Sequence, residues 1–426
     1  MLKATFCAYD FPGSVGGPGA WIQRLLPALR IYGIESRCLF LTWGDIGPTV
    51  AALRAQGLDC PAAPFPEHTE DRVRWVLAQL REDPPDVFVP NVMLPAYFAG
   101  RWVRSAGIPT VGILHSDDAF HRGLQHEFVF GQRPFRVSAL VCVSAELERQ
   151  VLAVRPDNMV VRRIPCGAPV PSTRCKRRTA GLRLAYVGRL VEEQKQVSVV
   201  ARAFCRVARE LPDTEAVLFG DGPARGAVEQ ILATEALGLP VRLAGRVDSD
   251  HIQERLSECD VIVLLSDYEG LPIALMEGMA CGCVPVCLRT RSGIPELLKD
   301  GITGLLVDDR VDSFVAAIRR LSEDRGLWER LSRAARARIE VEYSSRASAA
   351  KWADLLTQLG TNGSRRRSLV IPSRLALPPV HPDLAREDRR APPAALGPLR
   401  LYHHARKVAR KAGQRVMRWR SPGNFT

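Results

Sequence analysis

The sequence has no long apolar runs. No stretch reaches the roughly 18 consecutive apolar residues of a membrane span, and the nearest, 87–100, is interrupted by Pro90, Asn91 and Pro95. No signal-length apolar segment precedes Gly13, so the opening residues Met1-Leu2-Lys3-Ala4-Thr5-Phe6 read as the first strand of a cytosolic protein. Paired C-x2-C spacing is missing too. The eleven cysteines are scattered, and Cys38, Cys142 and Cys287 sit inside apolar runs, as reduced, buried thiols do. Cys281-Gly282-Cys283 with Cys287 therefore reads as packing rather than as a metal site. Also absent is a full G-x-G-x-x-G. In Gly13-Ser14-Val15-Gly16-Gly17-Pro18-Gly19, Ile22 stands where the third glycine belongs, and the end of the second predicted strand, 39–42, carries no acid. Both departures count against a dinucleotide-dependent dehydrogenase.

Acidic residues run out near the end: none follows Asp388. That explains the net charge of +13. Residues 361–426 hold 15 Lys and Arg against Asp383, Glu387 and Asp388, which leaves 44 basic against 43 acidic residues in the first 360. The body is an ordinary near-neutral surface and the basic character belongs to the tail, which counts against nucleic acid as a partner for the body. From 361 to about 393 the composition turns to Arg, Pro and Ser and predicts disorder. Beyond it Leu401, Ala405, Val408, Ala412, Val416 and Trp419 recur at helical spacing among basic residues, and residues 396–420 read as an amphipathic helix suited to an anionic membrane surface.

Through residue 310, short apolar runs alternate with helix-length spacers. Strands are predicted at 3–9, 36–41, 86–89, 109–115, 139–144 and 160–165, and again at 183–187, 215–220, 241–244, 261–266, 284–288 and 304–307. Continuous apolar strands joined by helices imply α/β units with parallel sheets buried on both faces. The polar, basic stretch 169–181 breaks the pattern and reads as a linker between two domains of one architecture. Residues 311–360 read as helices, the first capped by Asp312 or Ser313.

Three segments carry chemistry. Ser266-Asp267-Tyr268-Glu269-Gly270-Leu271-Pro272-Ile273-Ala274-Leu275-Met276-Glu277 follows an apolar strand and opens a helix. Strand C-terminal ends are where open α/β sheets bind ligands, and the free N–H groups of a helix N-terminus suit a phosphate. Glu269 precedes that helix and Glu277 lies two turns along it, so the two carboxylates address different hydroxyls of one extended ligand. In the second segment, Arg189 and Lys195 flank the loop that ends the first strand of the second half, two cations able to neutralise a departing diphosphate without a metal. The third is the glycine-rich turn 13–19. Asp248-Ser249-Asp250 matches the D-x-D of metal-dependent transferases, but it stands directly before a helix and reads as a cap.

Taken in order, Gly16-Gly17, Gly188-Arg189 with Lys195, Gly220-Asp221-Gly222 and Glu269-x7-Glu277 resemble the retaining GT-B glycosyltransferases of family 4 over roughly residues 4–360. The resemblance implies an α/β fold of two Rossmann-like, doubly wound parallel-sheet domains facing a cleft. The first would span 1–170 on the acceptor side, with 343–360 crossing back onto it, 171–181 as linker, 182–342 as the nucleotide-sugar domain and 361–426 as the basic tail. It further implies that Arg189 and Lys195 grip the donor diphosphate, that Glu277 binds the ribose, and that Glu269 contacts the transferred sugar, helped by backbone N–H groups of the stretch Gly270, Leu271, Pro272 and Ile273. Gly16 and Gly17 would lie over the donor, Arg246 and Val247 would meet the base, and His115 would stand near the reacting carbon. A metal site built from His115, Asp117, Asp118, His121 and His126 is the rival reading of that loop. The chain departs from the family at Gln196, where glycine is usual, at Ser116 after His115, and at Cys166-Gly167 in place of Asn-Gly.

The expected activity is thus hexosyl transfer with retention, from a nucleotide-diphosphate sugar to a glycan or lipid-linked acceptor. No cofactor or metal is expected, and the expected location is cytoplasmic, peripheral at the inner face of the membrane. A nucleotide-sugar epimerase or hydrolase of the same fold, and a non-catalytic scaffold, are the alternatives.

Overall fold

In the computed structural model, residues 1–12, 17–154, 159–248, 251–290, 293–361 and 367–391 are described. The strands are β1 (Leu2–Asp10), β2 (Ile34–Thr42), β3 (Ala62–Pro64), β4 (Val87–Asn91), β5 (Thr110–Leu114), β6 (Ala139–Cys142), β7 (Val160–Arg163), β8 (Arg183–Val187), β9 (Glu215–Phe219), β10 (Val241–Gly245), β11 (Val261–Leu264), β12 (Val284–Leu288) and β13 (Leu305–Val307). They form a seven-stranded sheet in the order β3-β2-β1-β4-β5-β6-β7 and a six-stranded sheet in the order β10-β9-β8-β11-β12-β13. Neighbouring strands pair in parallel throughout.

The central strands are buried along their whole length, as in Val87–Asn91, Thr110–Leu114, Val261–Leu264 and Val284–Leu288. This is the packing that continuous apolar runs dictate, because helices cover both faces. The helix Val197–Glu210 shows how one is held: Val197, Val200, Ala201, Phe204, Cys205, Val207 and Ala208 are buried, one stripe at spacings of three and four. Full burial of Phe204 alone is worth about 1.5–3 kcal/mol.

Each sheet reverses strand order once, between β1 and β4 in the first and between β8 and β11 in the second. Loops leaving the C-terminal ends at such a reversal line a crevice. The loops after β1, β4 and β5 therefore gather on one side of a cleft, and those after β8 and β11 on the other.

Three sequence expectations need revision. Strand β3 is absent from the predicted set; it is a three-residue edge strand of Ala-Ala-Pro, and an edge is where proline is tolerated. Asp312 and Ser313 lie inside the helix Asp312–Glu323 and do not cap it. Asp309 does this instead, its carboxylate accepting the N–H groups of Val311 and Ser313. Finally, residues 367–391 are not a free polar segment but a strap laid on the first domain. Arg74 donates to the carbonyls of Pro372 and Ser373, Arg72 to that of Glu387, and Ala391 N–H to Glu70. Leu369 and Leu384 are buried in the first core. Arginines of the body satisfy the strap's carbonyls, a tertiary effect that composition does not reveal.

The helix Ser345–Thr361 returns to the first domain. Trp352 packs against Trp21 at 5.6 Å and Phe6 at 5.9 Å between ring centroids. Among the described residues no helix is long and apolar enough to cross a membrane. The tail helix expected at 396–420 lies outside the described residues.

Candidate active site

The second domain contributes two interlocked loops. After β8, Tyr186 Oη donates to the carbonyl of Arg189 at 2.8 Å and fixes the turn. A single helical turn, Glu192–Lys195, follows. The chain then passes through Gln196 at φ 50°, ψ 44°, into the helix Val197–Glu210. This left-handed geometry explains why glycine is usual at that position; a side chain there costs about 1–2 kcal/mol. Gln196 offsets part of the cost by donating its Nε2 to Asp267 at 2.9 Å. Asp267 is also paired with Arg310, and its N–H donates to the carbonyl of Gln194 at 2.9 Å.

On this scaffold Lys195 Nζ pairs with Glu269 Oε1, the two side chains being 12% and 8% exposed. Gln194 Nε2 donates to the Tyr268 carbonyl at 3.0 Å and lies 3.4 Å from Glu269 Oε2. Arg189 is exposed. The helix Ile273–Cys281 begins after Pro272, and no side chain caps it. Its first N–H groups thus have no partner within the helix, and the dipole adds partial positive charge at the same point. Leu271 is buried.

The first domain closes on these loops. A Cβ on Gly270 would lie 2.0 Å from the carbonyl oxygen of His115, so only glycine fits there. Gly17 opens the helix Gly17–Leu29 directly against Ile273, with a Cβ position 3.1 Å from Ile273 Cδ1. Gly16, expected beside it, lies outside the described residues. Arg24, on that helix, reaches across to Glu277: Nη2 stands 2.5 Å from Oε1, and the side chains are 17% and 7% exposed. Burial pushes the Glu277 carboxyl up, and Arg24 opposes that shift.

His115 directly follows β5, with both ring nitrogens engaged. Nε2 lies 2.7 Å from Asn91 Oδ1, an acceptor, which assigns the proton to Nε2; Nδ1 faces Cys166 Sγ at 3.8 Å. Asn91 is itself buried at φ 53° and donates Nδ2 to the Cys7 carbonyl. Burial, with His121 nearby, lowers the His115 pKa to about 3, so the ring is neutral at physiological pH. The other polar residues of the loop do not converge on one point. Asp118 accepts both N–H and Nδ1 of His121, at 2.9 and 2.8 Å. Burial pushes the Asp118 carboxyl up, but the bonds to His121 outweigh it and bring it to about 2. His126 packs instead against His381, the two rings tilted with centroids 4.5 Å apart, and Asp117 accepts from Gln150.

Arg246 and Val247 follow β10. With Arg183, Val217, Phe219 and Arg255 they line a cavity of about 280 Å³. Asp248 is exposed and faces Arg246 at 3.7 Å. The remainder of that D-x-D, Ser249 and Asp250, lies outside the described residues, and His251 precedes the helix Ile252–Ser257 without a side-chain cap bond. All eleven cysteines are free and buried; Cys281 and Cys283 lie in reach of the carbonyls of Gln253 and Leu256. Sequence reasoning missed Arg24, Asn91 and Cys166 as parts of the cleft. The only available signal was an arginine among the apolar positions of the first helix.

Comparison with known proteins gives a consistent picture. Residues 177–338 match the family described as glycosyl transferases group 1. The chain is 31% identical over 176 residues to the alpha-D-kanosaminyltransferase of Streptomyces kanamyceticus, covering 41% of this chain and 45% of that protein. It is 28% identical over 305 residues to the GDP-mannose-dependent alpha-(1-6)-phosphatidylinositol dimannoside mannosyltransferase of Mycobacterium tuberculosis, covering 66% and 76%. The chain thus spans less than half the length of some curated relatives it matches. Among solved structures, TarM of S. aureus superposes with a TM-score of 0.69 at 11% identity, over 84% of this chain and 100% of that one. HepE of Anabaena, in complex with UDP and glucose, gives 0.68 at 18%, with the same coverage. At these identities the likeness establishes the fold, which is GT-B.

Proposed function

We propose, since residues 177–338 match the glycosyl transferases group 1 family, that the protein is a retaining glycosyltransferase that moves a hexosyl unit from a nucleotide-diphosphate sugar to a glycan or lipid-linked acceptor. The observation that carries this reading is the uncapped N-terminus of Ile273–Cys281, set between the Lys195–Glu269 pair and Glu277 at the β8/β11 reversal. A diphosphate fits there: free N–H groups point at it and two cations, Arg189 and Lys195, neutralise the charge that grows as it departs.

The two carboxylates divide the rest of the donor. Glu277 accepts from the ribose hydroxyls, and Glu269, adjoining Gly270, accepts from hydroxyls of the transferred sugar. Lys195 sits between the phosphate and sugar ends, so its ammonium serves Glu269 at rest and the leaving group during transfer. His115 acts without a charge. Its ring is a buttress held by Asn91 and Cys166, and its carbonyl is the group presented to the Gly270 loop. Arg246 and Val247 take the base, and Gly16 with Gly17 cover the donor from the first domain.

Charge neutralisation by Arg189, Lys195 and the helix terminus predicts transfer without a divalent cation, with Asp248 serving no metal. The tail carries the second part of the proposal. Ala391 of the strap is held by Glu70 at the start of the helix Thr69–Glu82, and we propose that residues 396–420 bind an anionic membrane surface at the cytoplasmic face, beside a lipid-linked acceptor. A screen of UDP- and GDP-sugars by thermal shift, followed by transfer with and without EDTA, tests the reading. Donor stabilisation and EDTA-resistant transfer support it. Transfer that EDTA abolishes and Mn²⁺ restores would refute the metal-free mechanism.

A further inference from the structure

The proposed donor roles leave one cleft interaction unused, the ion pair that joins the two domains. Arg24 stands two turns into the helix Gly17–Leu29, one turn after Trp21, whose ring packs edge-on against His115 at 5.1 Å. From there it crosses the cleft to Glu277 at 2.5 Å. The helix that carries Glu277 is otherwise apolar around it, burying Leu275, Met276, Met279 and Ala280. The charged group facing Glu277 is Arg24, and the other titratable group beside it is the Cys281 thiol, one turn along. Lys195, the next cation of the cleft, is committed to Glu269.

We propose that Arg24 is a positioning residue for nucleotide binding, holding the Glu277 carboxylate ionised and oriented from the opposite domain while Oε2 stays available to the ribose hydroxyls. The inference rests on the reading of Glu277 as the ribose acceptor. An ionised carboxylate offers about four lone-pair sites and no proton. One site on Oε1 goes to Arg24, and the others suit two neighbouring hydroxyls that both donate. A protonated Glu277 would present a donor where acceptors are needed. Burial favours that protonated form, and the direction of its shift agrees. A guanidinium is charged at every accessible pH, which makes it the appropriate counter-ion. Because the pair spans the cleft, the ribose site is complete only when the first domain is in contact.

The test is donor binding by calorimetry with the full chain, using UDP-glucose and GDP-mannose, whose diphosphate diesters do not titrate near neutrality. Wild-type affinity should be flat between about pH 6 and pH 8. In Arg24→Met the carboxyl loses its counter-ion, so affinity should fall about tenfold or more at about pH 6 and recover toward about pH 8 as Glu277 deprotonates. Arg24→Lys should restore the flat profile. An unchanged affinity in Arg24→Met, or a deficit equal at both ends of the range, would overturn the proposal. Glu277→Gln separates it from its premise. That variant should weaken binding at every pH; if it binds donor like the wild type, or if the wild type binds neither donor, the ribose assignment itself fails and the proposal with it.

Discussion

Breaking the Lys195–Glu269 pair should reduce both stability and activity, and the two losses should respond differently to a second substitution. Both side chains are nearly buried, at 12% and 8% exposure. Removing one partner of a buried pair strands the other charge and costs about 3–5 kcal/mol. The residual exposure of Lys195 and the Gln194 amide, 3.4 Å from Glu269 Oε2, soften the effect, which places Lys195→Met and Glu269→Gln each at about 3 kcal/mol. For a domain of this size each kcal/mol displaces the melting point by about 2–4 °C, so each single variant should melt lower by about 6–12 °C. The double variant leaves no stranded charge. Its loss should fall short of the sum by about 1–3 kcal/mol, the usual coupling of contacting residues. Turnover behaves otherwise. If both groups meet the donor, all three variants should lose at least about tenfold, or 1.4 kcal/mol of transition-state stabilisation. Melting curves and steady-state kinetics on the four proteins decide the matter. Additive melting losses would refute the buried-pair argument, and wild-type turnover in Lys195→Met would remove Lys195 from the donor site.

Three further outcomes follow from the same structure. Gln196→Gly should change stability by less than about 0.5 kcal/mol, because relief of left-handed strain offsets loss of the bond to Asp267, whereas Gln196→Val should cost more than about 1 kcal/mol; equal melting points for the two would contradict the strain argument. His115 has a folded pKa of about 3 against 6.5 for a free histidine, so the unfolded chain binds the extra proton between those values, and stability is present above about pH 6.5 and lost as pH falls, by up to about 1.4 kcal/mol per pH unit. His115→Asn should flatten that slope in melting points taken from about pH 7.5 to 5.5, and an unchanged slope would mean that His115 titrates normally. Full-length protein should pellet with anionic vesicles at low salt and less at high salt, whereas a chain ending at Ala391, which keeps the strap and the core contacts of Leu369 and Leu384, should not. Full-length protein staying in the supernatant at low salt would dismiss the anchor.

Much of the fold was readable because its strands are buried on both faces. Arg183–Val187 and Val284–Leu288 coincide with predicted runs, and the other predicted strands differ by one or two residues at their ends, where backbone pairing rather than side-chain type sets the boundary. What escaped depends on contacts made over long distances in the chain. Strand β3 exists because β2 offers an edge, not because Ala-Ala-Pro favours extension. The strap 367–391 exists because Arg72, Arg74 and Glu70, some 300 residues away, satisfy its backbone. The helix cap moved to Asp309 because a turn folded back on itself. At the cleft, the acidic loop 266–277 and the cations at 189 and 195 were readable since each stands at a strand end. Arg24 was not, because an arginine on an amphipathic helix gains meaning only from the carboxylate that the other domain presents to it. Gln196 shows the converse. As a sequence feature it was a departure from a pattern, and the backbone angle accounts for the pattern itself.

The cleft between the two sheets is proposed to bind a nucleotide-diphosphate sugar and to transfer the sugar with its anomeric configuration kept. The most direct measurement is a transfer reaction with anomerically defined UDP- and GDP-hexoses and an extract of candidate glycan and lipid-linked acceptors, followed by NMR of the product's anomeric proton. Sugar should appear on an acceptor, in the configuration it had in the donor, with turnover lost in Arg189→Ala. Release of free sugar alone, an inverted linkage, or full turnover in Arg189→Ala would contradict it.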